Sequence, residues 1–170
     1  MNKKIDHNSD NNADNGDAHN ADRSKQPNRD PLVFSISELA GRPQGATEEY
    51  TMDVEISLND PDIKPLSNLK GRVQIMKIDR EFNVQLRNME IDIQLQCAKC
   101  LENYTQKVRI SLAEKQYAVD KPQREFREEI GYVDVKHQTI DIKEFLRQEI
   151  ILHFPLVPVC STHCPGISLD

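Results

Sequence analysis

The sequence is poor in the features that mark membrane and secreted proteins. Its 170 residues include no tryptophan, only 5% aromatic residues and no long apolar run. A membrane-spanning helix needs about 20 apolar residues in succession, so we expect no such helix. The first residues also lack the apolar segment of a secretory signal peptide. These absences predict a cytoplasmic protein that does not act at a membrane.

An excess of positive charge is also missing. The chain has 22 basic residues (Lys and Arg) against 28 acidic ones (Asp and Glu), for a net charge of −6. This balance provides no general attraction to the phosphates of a nucleic acid. An RNA partner would therefore have to be bound through a local basic patch or through another protein.

Sequence signatures of the common enzyme classes are missing as well. The chain has no Walker phosphate-binding loop, no glycine fingerprint for dinucleotides and no GxSxG nucleophile turn. Its carboxylates are numerous but scattered, and none lies beside an evident general base. We therefore predict a protein that is not an enzyme, and we assign no catalytic residue.

Composition divides the chain into a tail and one domain. Residues 1–30 are crowded with Asn and Asp, and Ile5 is their one large aliphatic residue. Such a segment cannot bury enough apolar surface to offset its ordering entropy, so we predict a disordered tail over residues 1–30. Residues 31–170 are sufficient for a single hydrophobic core, and we predict one domain there.

Alternating apolar residues predict strands through the middle of the chain. In one stretch the apolar residues first occupy even positions and then odd ones: Phe82, Val84, Leu86, then Met89, Ile91, Ile93 and Leu95. One extra residue in a continuous strand produces such a change of phase, which predicts a β-bulge at Arg87 and Asn88. The alternative is a break into two separate strands.

A hairpin and a late helix complete the predicted fold. Tyr104, Gln106, Val108, Ile110 and Leu112 alternate with polar residues, which predicts a strand that pairs with the one before it. The helix is predicted to begin at Asp141 and to end at Pro155, with one apolar face formed by Ile142, Phe145, Leu146, Ile150 and Phe154. The fold class is therefore α+β, with a strand-rich antiparallel sheet and one C-terminal helix packed on it.

The four cysteines form two pairs that are far apart in the sequence. Cys97 and Cys100 lie at the predicted hairpin tip, and Cys160 and Cys164 follow the helix. Cytoplasmic thiols are kept reduced, so a tetrahedral zinc site with a structural role is favoured over disulfides. The 59 residues between the pairs exceed the usual separation in a zinc ribbon, and four free thiols remain the alternative. A thioredoxin-like redox motif is disfavoured because a strand, not a helix, follows Cys100.

Three basic residues flank the first cysteine pair. Lys99, Lys107 and Arg109 are predicted to lie on one side of the hairpin, where they are candidates for binding nucleic acid. The alternative interpretation is an ordinary solvated strand face.

Two segments, LQCAKCLENYTQKV and IDIKEFLRQEIILHFPLVPVCSTHC, resemble the YceD family of large ribosomal RNA subunit accumulation proteins. The segment FSISEL, which begins at Phe34, is similar to the opening of that family. The resemblance extends over residues 32–164, so the predicted domain at 31–170 is YceD-like.

The resemblance implies a non-enzymatic factor in large-subunit assembly that supports accumulation or processing of large-subunit ribosomal RNA. The implied partner is precursor ribosomal RNA or an assembly protein, with no small-molecule substrate. An RNA-processing enzyme that acts on the same precursor is one alternative. A protein-interaction adaptor stapled by a metal ion, without RNA contact, is another.

Overall fold

The computed structural model describes residues 20–22, 30–58, 60, 61, 63–119 and 130–167. Within these ranges the chain forms two helices and nine strands. The strands are β1 (Asn20–Asp22), β2 (Val33–Ser35), β3 (Thr47–Val54), β4 (Lys64–Pro65), β5 (Leu69–Ile78), β6 (Glu81–Gln96), β7 (Asn103–Ala118), β8 (Gly131–Tyr132) and β9 (Thr139–Asp141). The helices are α1 (Ser37–Gly41) and α2 (Lys143–Leu152).

Most strands belong to one sheet with the order β1-β3-β5-β6-β7-β8. Strands β3, β5, β6 and β7 pair antiparallel, whereas β1 and β8 add parallel at the two edges. Strand β4 pairs with β6 beyond the end of β5. Strands β2 and β9 form a separate antiparallel pair that the sequence pattern did not reveal. The α+β class, with its strand-rich antiparallel sheet and one C-terminal helix, is confirmed.

The predicted tail at residues 1–30 lies almost wholly outside the described residues. The structure describes Asn20–Asp22 within it as the edge strand β1, which pairs with β3. Of the described helices, none is long and apolar enough to cross a membrane. The division into a tail and a single domain stays a prediction.

The hairpin of β6 and β7 is the longest feature of the sheet. Each strand has 16 residues, and their pairing runs from Glu81 opposite Ala118 to Gln96 opposite Asn103. The connection at its far end is therefore residues 97–102, which contain the first cysteine pair. Because two long strands hold this end, the cysteine turn projects from the sheet at a defined position.

The predicted bulge is present where β6 passes β5. The pairing of the two strands shifts between Lys70 and Arg72, and Asn88 adopts a positive φ of 49°. The exposed fractions of Leu86 and Met89 are 0% and 1%, so both face the core despite their odd separation. The bulge prediction is confirmed, and the alternative of two separate strands is wrong.

Gly71 makes this close passage of β5 and β6 possible. Its φ is +143°, and a Cβ atom there would lie 2.5 Å from Met89 Sδ and 2.9 Å from the carbonyl oxygen of Asn88. A side chain at this position would meet both steric overlap and an unfavourable backbone conformation.

One expectation for β7 is wrong. Leu112 was predicted to share the inner face with Val108 and Ile110, but 55% of its surface is exposed. The register of β6 against β7 is unchanged across Asn88, since Arg87 pairs with Leu112 and Met89 pairs with Ile110. Strand β7 must therefore change phase together with β6, and its inner face resumes at Ala113.

Helix α2 packs its apolar face against the sheet, beside β7. Ile142, Phe145, Leu146 and Ile150 are all at most 3% exposed, which confirms the predicted face. The residue at the N-cap position is Ile142, but the carboxylate of Asp141 accepts a hydrogen bond from the backbone N–H of Lys143 at 2.8 Å. Asp141 therefore stabilises the helix start from one position earlier than a standard cap.

The bulge predicts a specific pattern of stability changes. Leu86→Ala and Met89→Ala should each lower the free energy of unfolding by about 2–5 kcal/mol, because both remove well-buried side chains. Leu112→Ala is the matched control and should change it by less than about 0.5 kcal/mol, because this leucine is largely exposed. Urea denaturation measures all three. A near-neutral Met89→Ala would contradict the observed phase change.

The orientation of α2 predicts a similar contrast. Phe145→Ala should cost about 3–5 kcal/mol of stability, because the ring is 3% exposed and lies against the sheet. Gln148→Ala, on the exposed face of the same helix, should cost less than about 0.5 kcal/mol. Thermal unfolding followed by circular dichroism compares the two variants, and equal losses would show that the helix face is misassigned.

Candidate metal centre

The first half of the site is the turn at the tip of the β6–β7 hairpin. The backbone N–H of Cys97 donates to Glu102 O at 2.9 Å, and the N–H of Leu101 donates to Cys97 O at 3.0 Å. Leu101 reverses the chain with a φ of 63°, which is unusual for a residue with a side chain. This tight turn keeps the sulfurs of Cys97 and Cys100 on the same side.

The second half is the segment that follows α2. Pro155 and Pro158 fix their own φ angles and stiffen the path from the helix toward Cys160. The carbonyl oxygen of Pro158 accepts a hydrogen bond of 2.8 Å from the backbone N–H of Ala98. That bond docks the C-terminal segment on the hairpin tip without any contribution from a cysteine side chain.

The four sulfur atoms converge. All of them lie within 4.8 Å of one another. Cys97 Sγ is 3.8 Å from Cys164 Sγ, and Cys100 Sγ is 3.8 Å from Cys160 Sγ. Zn–S bonds of about 2.3 Å in a regular tetrahedron place neighbouring sulfurs about 3.8 Å apart. The cysteines therefore fit a tetrahedral metal ion, and they can hold one.

Burial is graded across the site. Cys97 is fully buried, Cys100 and Cys164 are half-buried, and Cys160 is exposed. The Cys97 sulfur accepts hydrogen bonds from the backbone N–H groups of Lys99 and Cys160, each at 3.4 Å. Donors of this kind compensate the negative charge that a thiolate brings into a buried position.

The thiols differ in acidity because of these surroundings. Backbone N–H groups, first that of Cys100 and then that of Cys160, lower the pKa of Cys97 to about 6. The neighbouring thiol of Cys164, followed by burial, raises the pKa of Cys160 to about 12. One thiolate therefore forms readily, but further ionisation places like charges within a few ångströms. A bound divalent cation removes that penalty.

Two further side chains close to the cysteine pairs in the sequence, His163 and Tyr104, lie in different surroundings. His163 is exposed, and its Nδ1 lies 2.9 Å from the hydroxyl of Thr162. It is not among the residues grouped around the sulfurs within the described part of the chain. Tyr104 lies close enough for burial, and then the charges of Cys97 and Cys160, to raise its pKa.

The predicted basic residues occupy two different places. Lys99 is exposed at the hairpin tip between the two cysteines. Lys107 and Arg109 lie together on β7, and both contact Glu90 of β6, at 2.6 Å from Lys107 Nζ and 3.2 Å from Arg109 Nε. Lys107 also lies 3.3 Å from Asp92. The structure thus brings Lys107 and Arg109 together and leaves Lys99 at the metal-site end.

Sequence reasoning missed the contacts that assemble the site. The bond from Ala98 to Pro158, and the donors on the Cys97 sulfur, all come from the backbone. Backbone groups are present at every residue, so no residue type signals them in advance.

The fold and the site define a class: an α+β protein in which two cysteines at the end of the longest hairpin and two cysteines after the last helix converge and can hold a metal ion. The comparison with protein families narrows this class. Residues 87–170 match the family described as "Large ribosomal RNA subunit accumulation protein YceD". The resemblance found in the sequence is confirmed over residues 87–170, and this match covers β7, α2 and all four cysteines. No curated protein and no solved structure matches the chain.

The site geometry predicts that metal content and stability depend on the same side chains. Cys100→Ser and Cys164→Ser should each reduce the bound metal and lower the melting temperature, because each removes one of four converging thiolates. His163→Ala is the matched control and should change neither, since this side chain is exposed. Elemental analysis of protein purified under reducing conditions measures the metal. A metal-free wild-type protein whose four thiols all react rapidly would contradict the assignment.

Proposed function

We propose that this protein is a non-enzymatic ribosome-biogenesis factor that supports the accumulation or processing of large-subunit ribosomal RNA. It acts in the cytoplasm on precursor RNA or on an assembly protein. The observation that carries this proposal is the match of residues 87–170 to a family described by large ribosomal RNA subunit accumulation and not by a reaction. The matched region contains the hairpin strand β7, helix α2 and the complete cysteine cluster.

The metal in this proposal is zinc, and its role is structural. Thiolates are soft ligands, and a closed set of four sulfurs in a tetrahedron is typical of structural zinc. All four ligand positions are occupied by protein atoms, so no open position is left for a substrate or an activated water. The ion joins the tip of the β6–β7 hairpin to the segment after α2 and thereby holds the helix against the sheet.

Lys99, Lys107 and Arg109 are proposed to contact RNA phosphates. Lys99 is exposed at the tip, where an extended partner can reach it. Lys107 and Arg109 pair with Glu90, but 42% and 69% of their side chains remain exposed. Exposed ion pairs contribute about 0–1 kcal/mol, so a phosphate can replace Glu90 at modest cost. Because Lys107 and Arg109 are paired with Glu90, they attract other anions less strongly than unpaired basic residues would.

Ribosome profiles test the proposal in cells. Cells that lack the protein should show fewer large subunits relative to small subunits on a sucrose gradient, together with unprocessed large-subunit RNA. Wild-type protein should restore the profile, and the variant Cys100→Ser should restore it poorly because the cluster fails to assemble. His163→Ala should restore it fully. An unchanged profile in the deletion strain would refute the proposed function.

Purified protein tests the non-enzymatic part separately. Precursor large-subunit RNA incubated with the zinc-loaded protein should keep its length and its modification pattern. Cleavage or modification that copurifies with the wild-type protein would favour the RNA-processing enzyme instead.

A further inference from the structure

A cleft lies beside the cysteine turn, between the end of α2 and the sheet. Its volume is about 660 Å³, which is within the range of roughly 300–1,000 Å³ usual for small-ligand sites. Strand β4, the last residues of β6 and the first residue of β7 form one wall, and Ile151 and Phe154 form the other. The hairpin wall is held by the same turn that carries Cys97 and Cys100.

The charge of the cleft departs from that of the whole chain. Acidic residues outnumber basic ones by 28 to 22 in the sequence, yet none of the described residues that line the cleft is acidic. Lys64 is its one charged side chain among them, and it is exposed. Lys64 forms no ion pair within the part of the chain that the structure describes. Among the described residues, the cleft therefore offers a positive charge that no carboxylate pairs with, which favours an anionic ligand.

The polar groups of the cleft are carboxamides. Gln94, Gln96 and Asn103 all line it, and each amide carries both donors and acceptors. The Nε2 of Gln96 donates to the carbonyl oxygen of Leu101 at 3.0 Å, which orients that amide. Groups that both donate and accept match the edges of nucleobases, whereas a purely anionic ligand such as free phosphate would use donors alone.

The opposite wall offers an aromatic ring. Phe154 is half-buried against the core and lines the cleft, and Leu95 of β6 lines it from the hairpin wall. Aromatic side chains provide stacking platforms for unpaired bases, and a base can enter such a cleft only when it is not stacked in a duplex. A ring, amides and a lysine that forms no ion pair among the described residues are together the groups that a single nucleotide needs.

We propose that this cleft binds a nucleotide of single-stranded RNA, with its base between Phe154 and the carboxamides and a phosphate at Lys64. The inference rests on the proposed function, and it adds a surface for precursor RNA to the basic residues Lys99, Lys107 and Arg109. It places that contact beside the metal site, so the zinc ion would position the cleft wall without touching the RNA.

Fluorescence anisotropy with the zinc-loaded full-length protein and labelled 12-nucleotide RNAs tests this cleft. Wild-type protein should bind single-stranded RNA more tightly than a hairpin duplex. Phe154→Leu should weaken binding by about tenfold or more, because it removes stacking while keeping an apolar side chain. Gln94→Glu should also weaken it, because a carboxylate of the same shape repels phosphate and cannot donate.

Substitution of Lys64 tests the phosphate contact through the salt dependence of RNA binding. Lys64→Gln should reduce the dependence of log Kd on log salt by about one, as expected for the loss of one phosphate contact. Lys136→Gln is the matched control, since Lys136 is exposed near β8 and β9 at the other end of β7. It should leave both affinity and salt dependence unchanged. Zinc content and melting temperature of each variant show whether it remains folded.

The possible results distinguish failure of the cleft proposal from failure of the proposed function. Wild-type binding that survives Phe154→Leu and Gln94→Glu in folded protein would overturn the cleft and leave the ribosome-biogenesis role intact. Absence of RNA binding by the wild-type protein would also overturn the cleft, as would occupancy by a peptide. The sucrose-gradient profile, which requires no direct RNA contact, decides independently whether the proposed function fails.

Discussion

The convergence of four sulfurs joins the tip of the β6–β7 hairpin to the segment that follows α2. Cys97 and Cys100 are carried by a hairpin of two 16-residue strands, whereas Cys160 and Cys164 belong to a segment with no regular secondary structure. That segment buries little of its apolar surface, and Leu156 is fully exposed. Structural zinc contributes on the order of 10 kcal/mol, which is comparable to the whole stability of a small domain. Coordination can therefore hold a region that hydrophobic burial cannot.

The long hairpin imposes a second constraint. Its two strands stay in register, although the set of residues that faces the core shifts by one position along each strand. The bulge at Asn88 shifts the phase of β6, and β7 follows since its pairing with β6 does not slip. Gly71 on β5 allows the close approach that this shift requires. Local twist increases at such a bulge. The result is a continuous core on both sides of Asn88, together with a cysteine turn at the far end of the hairpin.

Several basic side chains on the described surface are paired with carboxylates: Lys107 and Arg109 with Glu90, and Arg147 with Asp60 and Glu144. Near the cysteines, Lys64 and Lys99 are exposed lysines. A negatively charged chain can still bind an anionic partner at the places where exposed basic side chains are not neutralised by its own carboxylates. Among the described residues, the unpaired lysines therefore determine where on the surface an anionic partner can bind.

The sequence by itself determined the elements that follow from local pattern. Alternation predicted the hairpin strands and the bulge, and a 3.6-residue period predicted the buried face of α2. These succeed because each side chain's environment repeats with the geometry of its own element. Only the tertiary structure decided the exposure of Leu112, the pairing of β2 with β9 and the docking of Pro158 on Ala98. Each of these depends on a partner distant in sequence, and backbone hydrogen bonds between such partners leave no mark on residue type. The cleft between Gln94 and Phe154 is of the same kind, because its two walls meet only when α2 has packed and the cysteine turn has closed.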